Sequence, residues 1–125
     1  MPNINNINLF GTTYDLNDIR ITVEPYSSWT VITINDHFVI AYGKRNLTFP
    51  APTEVGGVYR SIEQLDMRSI MSEVYGGIVG YLNGYSVPSV VPNGTNKYMA
   101  EVVFTYNTNF SGFNATVPTV IFGTK

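Results

Sequence analysis

Four small groups of side chains in this chain have the types and spacing to do chemistry. His37 is the only histidine and directly follows Asp36, the pairing of a general base with a carboxylate that orients it. Neighbours in a strand or turn point apart, whereas a catalytic triad needs side chains that converge. His37 is therefore expected to be a hairpin-turn residue. Asp15 with Asp18, and Glu63 with Asp66, are carboxylate pairs of the kind a glycosidase uses. Each has a plainer use. Asp15 and Asp18 can accept hydrogen bonds from turn backbone, and Glu63 and Asp66 suit the positive end of a helix dipole. Gly76-Gly77 followed by Gly80 lacks the lysine and the strand-to-helix setting of a phosphate loop. With no cysteine, one histidine and nine scattered acids, the chain does not assemble the convergent ligands of a metal site. Neither catalysis nor a cofactor is expected.

The fourth group is aromatic. Tyr81, Asn83, Tyr85, Tyr106, Asn107, Asn109 and Phe110 combine flat rings with amides, the mix that buries the apolar face of a sugar and bonds its hydroxyls. They are the candidate ligand-binding residues, and the ligand would be a glycan. The competing use, which is preferred, is that these aromatics fill the core and subunit interfaces, where aromatic burial is largest.

The elements that must position these groups follow from length and pattern. A chain of 125 residues suits one domain with a single core. Charged residues make up only 13%, about half the usual share, while 44% are hydrophobic and 14% aromatic. With a net charge of −2, the surface exerts little pull on polyanions, so nucleic acid is not an expected partner. No apolar run approaches the roughly 18 residues of a membrane span, and residues 1–6 do not read as a signal peptide. Membrane insertion is not expected.

Residues 1–25 read as a polar, Asn-rich, extended arm with a turn near Gly11, ended by Pro25. Residues 26–125 read as the folded domain. Its clearest element is a hairpin, Trp29–Ile34 and His37–Tyr42, across the two-residue turn Asn35-Asp36. Direct pairing sets Trp29 opposite Tyr42, Val31 opposite Ile40 and Thr33 opposite Phe38. Both faces of this ribbon are largely apolar, so each is expected to be covered, one by the core and the other by a second sheet or a symmetry mate. A shorter strand is expected over 44–49, and a helix of two to three turns over 61–75, from the spacing of Met67, Ile70, Met71 and Val74 and the Gly76-Gly77 stop. Asn83-Gly84 predicts a second hairpin. Pro88 and Pro92 push 85–91 to a sheet edge, and Asn93-Gly94 marks a turn. Tyr98, Ala100, Val102, Phe104 and Tyr106 should share one face of the next strand. The sum is an all-β chain: an antiparallel, jelly-roll-like β-sandwich with an extended N-terminal arm and at most one short helix.

Two stretches carry a resemblance. Ile7-Asn8-Leu9-Phe10-Gly11-Thr12-Thr13-Tyr14-Asp15-Leu16-Asn17-Asp18 resembles a connector found in bacteriophage tail-fibre and head-fibre proteins. Trp29-Thr30, Ala41-Tyr42-Gly43-Lys44, Gly57-Val58-Tyr59-Arg60-Ser61 and Val117-Pro118-Thr119-Val120 resemble, in that order, the β-head domain at the tips of phage tail proteins. The resemblance implies a virion structural protein, namely a fibre, tail-tip or decoration subunit. It implies a homotrimer that contacts other virion proteins through the arm residues Leu9, Phe10, Tyr14, Asp15, Leu16 and Asp18. It also implies a head that meets host cell-surface polysaccharide, and residence in the virion after synthesis in the host cytoplasm. A stand-alone carbohydrate-binding module is the alternative.

Overall fold

The computed structural model describes residues 5–15, 19–80 and 87–125, and of Tyr14 only the backbone. The described residues form eleven strands in three antiparallel sheets and no helix. β1 (Asn6–Leu9) and β2 (Thr12–Asp15) make a hairpin of their own. β3 (Ile21–Tyr26), β4 (Trp29–Ile34), β5 (Phe38–Phe49), β8 (Glu73–Val79) and β11 (Phe113–Thr124) form a five-stranded sheet in the order β3-β4-β5-β11-β8. β6 (Thr53–Val55), β7 (Val58–Asp66), β9 (Ser89–Pro92) and β10 (Met99–Tyr106) form a four-stranded sheet in the order β6-β7-β10-β9.

The two larger sheets pack as a β-sandwich. Its core takes Val39, Ala41, Leu47, Phe49, Val117 and Ile121 from one sheet, and Leu65, Ala100, Val102 and Phe104 from the other. Alternation produces this layer. In β10, Ala100, Val102 and Phe104 are buried while Glu101 and Val103 are only partly so, as a strand with one face inward requires. The spine is the pairing of β5 with β11, in continuous register from Phe113↔Phe49 to Thr124↔Phe38. Arg45 closes one end of the core by laying its guanidinium over the Trp29 ring, 4.7 Å from the centroid.

Prolines sit where a missing donor costs nothing. Pro25 and Pro92 lie in β3 and β9, both edge strands. Pro118 is in the interior strand β11, but its carbonyl accepts from Gly80 N–H at 2.8 Å, so its nitrogen points to the side where pairing with β8 has just ended.

Four expectations are corrected. The 61–75 segment is not a helix. Ser61 and Leu65 are buried at period two in β7, and the helical spacing of Met67, Ile70 and Met71 reflects one tight turn, closed by Ile70 N–H and Met71 N–H on the Met67 carbonyl. Met67 and Met71 are buried there because that turn carries the chain from one sheet to the other across the core. Gly76-Gly77 is strand, not a stop.

The β4–β5 hairpin has the expected positive φ at Asn35 (53°) and Asp36 (54°), but its turn spans three residues. Thr30 therefore faces Tyr42, Ile32 faces Ile40 and Ile34 faces Phe38, one residue away from the expected register. Nor does β5 break at Gly43; it runs unbroken through 44–49. Finally, Pro25 does not end an arm. Residues 21–26 are β3, hydrogen-bonded to β4 from Ile21↔Ile34 to Tyr26↔Trp29.

The Asn83-Gly84 turn lies outside the described residues. The strands on either side of it belong to different sheets, so they are not partners in a hairpin.

Candidate interaction face

The candidate carboxylates Glu63 and Asp66 do not converge. Glu63 is on the inward face of β7 with Ser61 and Leu65, while Asp66 lies on the other face at the strand end. Burial raises the Glu63 carboxyl above its ordinary range, an effect partly offset by the hydrogen bond it accepts from Thr48 N–H. Asp66 is lowered, chiefly by the Arg68 side chain, whose Nε donates to it at 2.8 and 3.1 Å, and by Arg68 N–H. The arrangement is a strand-end turn, with Arg68 also lying over the Tyr98 ring at 4.8 Å. Asp36 is exposed and 4.0 Å from both Arg20 and Lys125, which draws its carboxylate into an ionic group at the hairpin tip. Asp15 is exposed at the end of β2. Asp18 lies outside the described residues. Among those described, no three His, Cys, Asp or Glu side chains gather as metal ligands.

Of the candidate glycan residues, Tyr81, Asn83 and Tyr85 lie outside the described residues. The other four sit around the end of β10. Phe110 packs edge-on against Phe104 and Phe113, with centroids at 5.1 and 5.9 Å, and Phe104 also meets Phe49 at 5.9 Å and Tyr106 at 6.4 Å. Phe110 and Tyr106 are thus partly buried extensions of the core, while Asn107 and Asn109 stand exposed beside them.

The most distinctive surface is one the carboxylates and amides do not touch: the outer face of the five-stranded sheet. Registers place its side chains in three cross-strand rows. The first runs Ile21, Ile34, Phe38, Thr124, ending at Glu73. The second runs Val23, Ile32, Ile40, Phe122, ending at Gly76, over which the Phe122 ring lies within van der Waals reach. The third runs Pro25, Thr30, Tyr42, Val120, Ile78. The one carboxyl in them is that of Glu73, at a corner, and no ammonium or guanidinium stands in any of the three. At the flanks Ile21 and Val23 are 60% exposed and Ile78 is 65% exposed. Further charge lies just outside, with Lys44 beyond Tyr42 at one end and Arg20, Asp36 and Lys125 at the other. A shallow apolar depression of about 280 Å³ between Tyr42, Gly43, Pro118 and Val120 marks the Lys44 end.

The N-terminal hairpin meets this face. Its turn is Phe10-Gly11, both at positive φ (50° and 86°), with Asn8 Oδ1 accepting from Gly11 N–H at 3.1 Å. Phe10 stacks on Tyr75 at 4.2 Å and tilts against Phe38 at 5.1 Å. Those two residues belong to the strands that flank β11, and Thr124 between them is 7% exposed. Tyr75 can reach outward because it is the extra residue of a β-bulge where the register slips between Phe122 and Gly123. Of the remaining arm residues, Leu9 is partly buried. The Tyr14 side chain and Leu16 lie outside the described residues. Sequence reading marked the hairpin β4–β5 as apolar on both sides. It missed β3, β8 and β11 as parts of the same face, because their residues become one surface only through long-range pairing.

No family model matches the chain, and no match is found among curated proteins or solved structures.

Proposed function

We propose that this chain is a bacteriophage virion structural protein: a homotrimeric fibre, tail-tip or decoration subunit that attaches through its N-terminal arm and presents the β-sandwich outward. The observation that carries the reading is the pairing of sequence and placement in the connector. The Gly-Thr-Thr-Tyr-Asp stretch, residues 11–15, falls in a small hairpin that joins neither sheet of the sandwich. A segment outside both sheets, tied to the sandwich through Phe10, can serve a neighbouring protein with its other exposed residues. Low charge and a sheet face that is apolar but for Glu73 at one corner support a subunit that is partly covered in its working state.

The chain is expected in purified particles by mass spectrometry. A version lacking residues 1–18, which spares β3, should keep the far-UV spectrum and melting of the sandwich yet fail to enter particles. Incorporation of the truncated chain would reject attachment through the arm. Absence of the full chain from particles would reject the virion role.

A stand-alone carbohydrate-binding module is the second reading, favoured by the exposed amides of Asn107 and Asn109 beside Tyr106 and Phe110. It requires binding on a glycan array that is lost in Asn107→Ala/Asn109→Ala.

A further inference from the structure

We propose that the outer face of the five-stranded sheet is an interface that buries itself against the same face of further copies of this chain, sheet on sheet, with the β1–β2 hairpin at its margin. The proposal deepens the homo-oligomeric part of the reading above, with the faces of the three copies meeting about the trimer axis, and is independent of the virion part.

Three features of the face select a second copy as its occupant. The first is charge. Of fifteen positions in three rows only Glu73, at one corner, carries a carboxyl and none is basic, so the face offers no cationic site to a phosphate or a lipid headgroup and little to a charged peptide. It is complementary in polarity to itself, with ionic groups only at its two ends, the arrangement of an apolar interface centre with a polar rim.

The second is shape and size. Among the described residues the face is broad, with a shallow depression at its Lys44 end, and two sheets pack face to face through such surfaces. Five strands about 4.8 Å apart and three rows about 7 Å apart give a flat footprint of roughly 500 Å². The corrugation of the side chains, with the exposed Ile7 and Phe10 of the hairpin beside them, extends this toward the ~800 Å² that each partner contributes to a stable interface.

The third is the state of the edges. β3 carries Pro25 and Glu24, and β8 is bent by its bulge at Tyr75, so strand addition at either edge of this sheet is disfavoured. What the edges refuse, the face invites.

The test uses the full chain in sedimentation and in light scattering after gel filtration at micromolar concentration. The wild type should be an oligomer. Val23→Lys/Ile78→Lys places like charges where the copies meet, at positions exposed in the isolated subunit. It should run as a monomer with an unchanged far-UV spectrum, while Thr105→Lys on the four-stranded sheet should remain oligomeric. A wild-type monomer would overturn both this proposal and the homo-oligomeric part of the proposed function. An oligomer left intact by the double substitution would overturn this proposal alone and leave that reading standing.

Since the chain has no cysteine, Ile78→Cys gives a second measurement that needs no charge in the face. Its reaction with a maleimide should slow at least tenfold in the oligomer relative to Thr105→Cys. Equal rates would likewise reject the interface.

Discussion

Phe10 lies face to face with Tyr75, ring centroids 4.2 Å apart and planes 17° from parallel, and this stack joins the N-terminal hairpin to the sandwich. Phe10 occupies this position at a cost, because its φ of 50° is in the left-handed region that an aromatic residue rarely adopts. The turn would form more readily with asparagine there. The phenyl ring is present for what it touches.

Phe10→Asn is therefore expected to keep or strengthen the β1–β2 turn while releasing the hairpin from the sheet. The stack and tilt contacts are worth about 0.5–1.5 kcal/mol each beyond their burial, and their loss falls on the hairpin. Hydrogen exchange should show loss of protection around Tyr75 and Thr124, with the β5–β11 spine unchanged. Loss of protection along that spine would show that the hairpin is integral to the core.

Gly43→Ala should destabilise the fold by about 2–4 kcal/mol, the range for forced overpacking with backbone displacement. A Cβ at position 43 would stand 2.5 Å from the Ser28 carbonyl oxygen, where the turn between β3 and β4 presses on β5. Urea unfolding measures the loss. A change under about 0.5 kcal/mol, the range of neutral surface substitutions, would mean that this approach is not held in solution.

Gly43 also shows where the sequence was legible and where it was not. Local signals served well: the positive-φ turns at Asn35-Asp36 and Gly11, the Asn93 turn whose Oδ1 accepts from Thr95 and Asn96 N–H, and the edge position of Pro92 are all present. A glycine inside a strand reads as a break, however, because the neighbour that requires it, Ser28, comes from another part of the fold. Met67, Ile70 and Met71 misled in the same way, since one buried turn has the spacing of a helix. The outer face was half visible, as the apolar reverse of β4 and β5. Its full width depends on β11 returning from the far end of the chain to lie beside β5, which no local pattern records.

The two perturbed acids give stability opposite dependences on pH. Glu63 is raised above its ordinary 4.5 by burial, so from about that pH up through its folded-state value the folded chain holds more protons than the unfolded one, and stability falls as pH rises. Asp66 is lowered below 3.8 by Arg68; its contribution is present above that value and disappears as pH falls through the folded-state value. Glu63→Gln keeps an acceptor for Thr48 N–H and removes the titration. Urea midpoints measured across a pH series should lose their decline above pH 4.5 while the acid-side loss remains. A decline of unchanged slope would place its origin elsewhere.

Phe104 is the hub of the aromatic group, with Phe49, Phe110 and Phe113 at 5.9, 5.1 and 5.2 Å, and is 3% exposed. Phe104→Ala should cost about 3–5 kcal/mol, as for a buried phenylalanine whose cavity cannot collapse. Phe110 packs edge-on over the hub from the partly exposed side, so Phe110→Ala should cost less, about 1–2 kcal/mol, from lost burial and one to two ring contacts. The double variant tests whether the rings act together. Because Phe110 loses its nearer ring partner once Phe104 is gone and keeps only Phe113 at 5.9 Å, the two losses should sum to more than the measured total, by about 0.5 kcal/mol or more. Strict additivity in denaturant unfolding would instead describe Phe110 as a ring independent of the core, available to stack on a sugar.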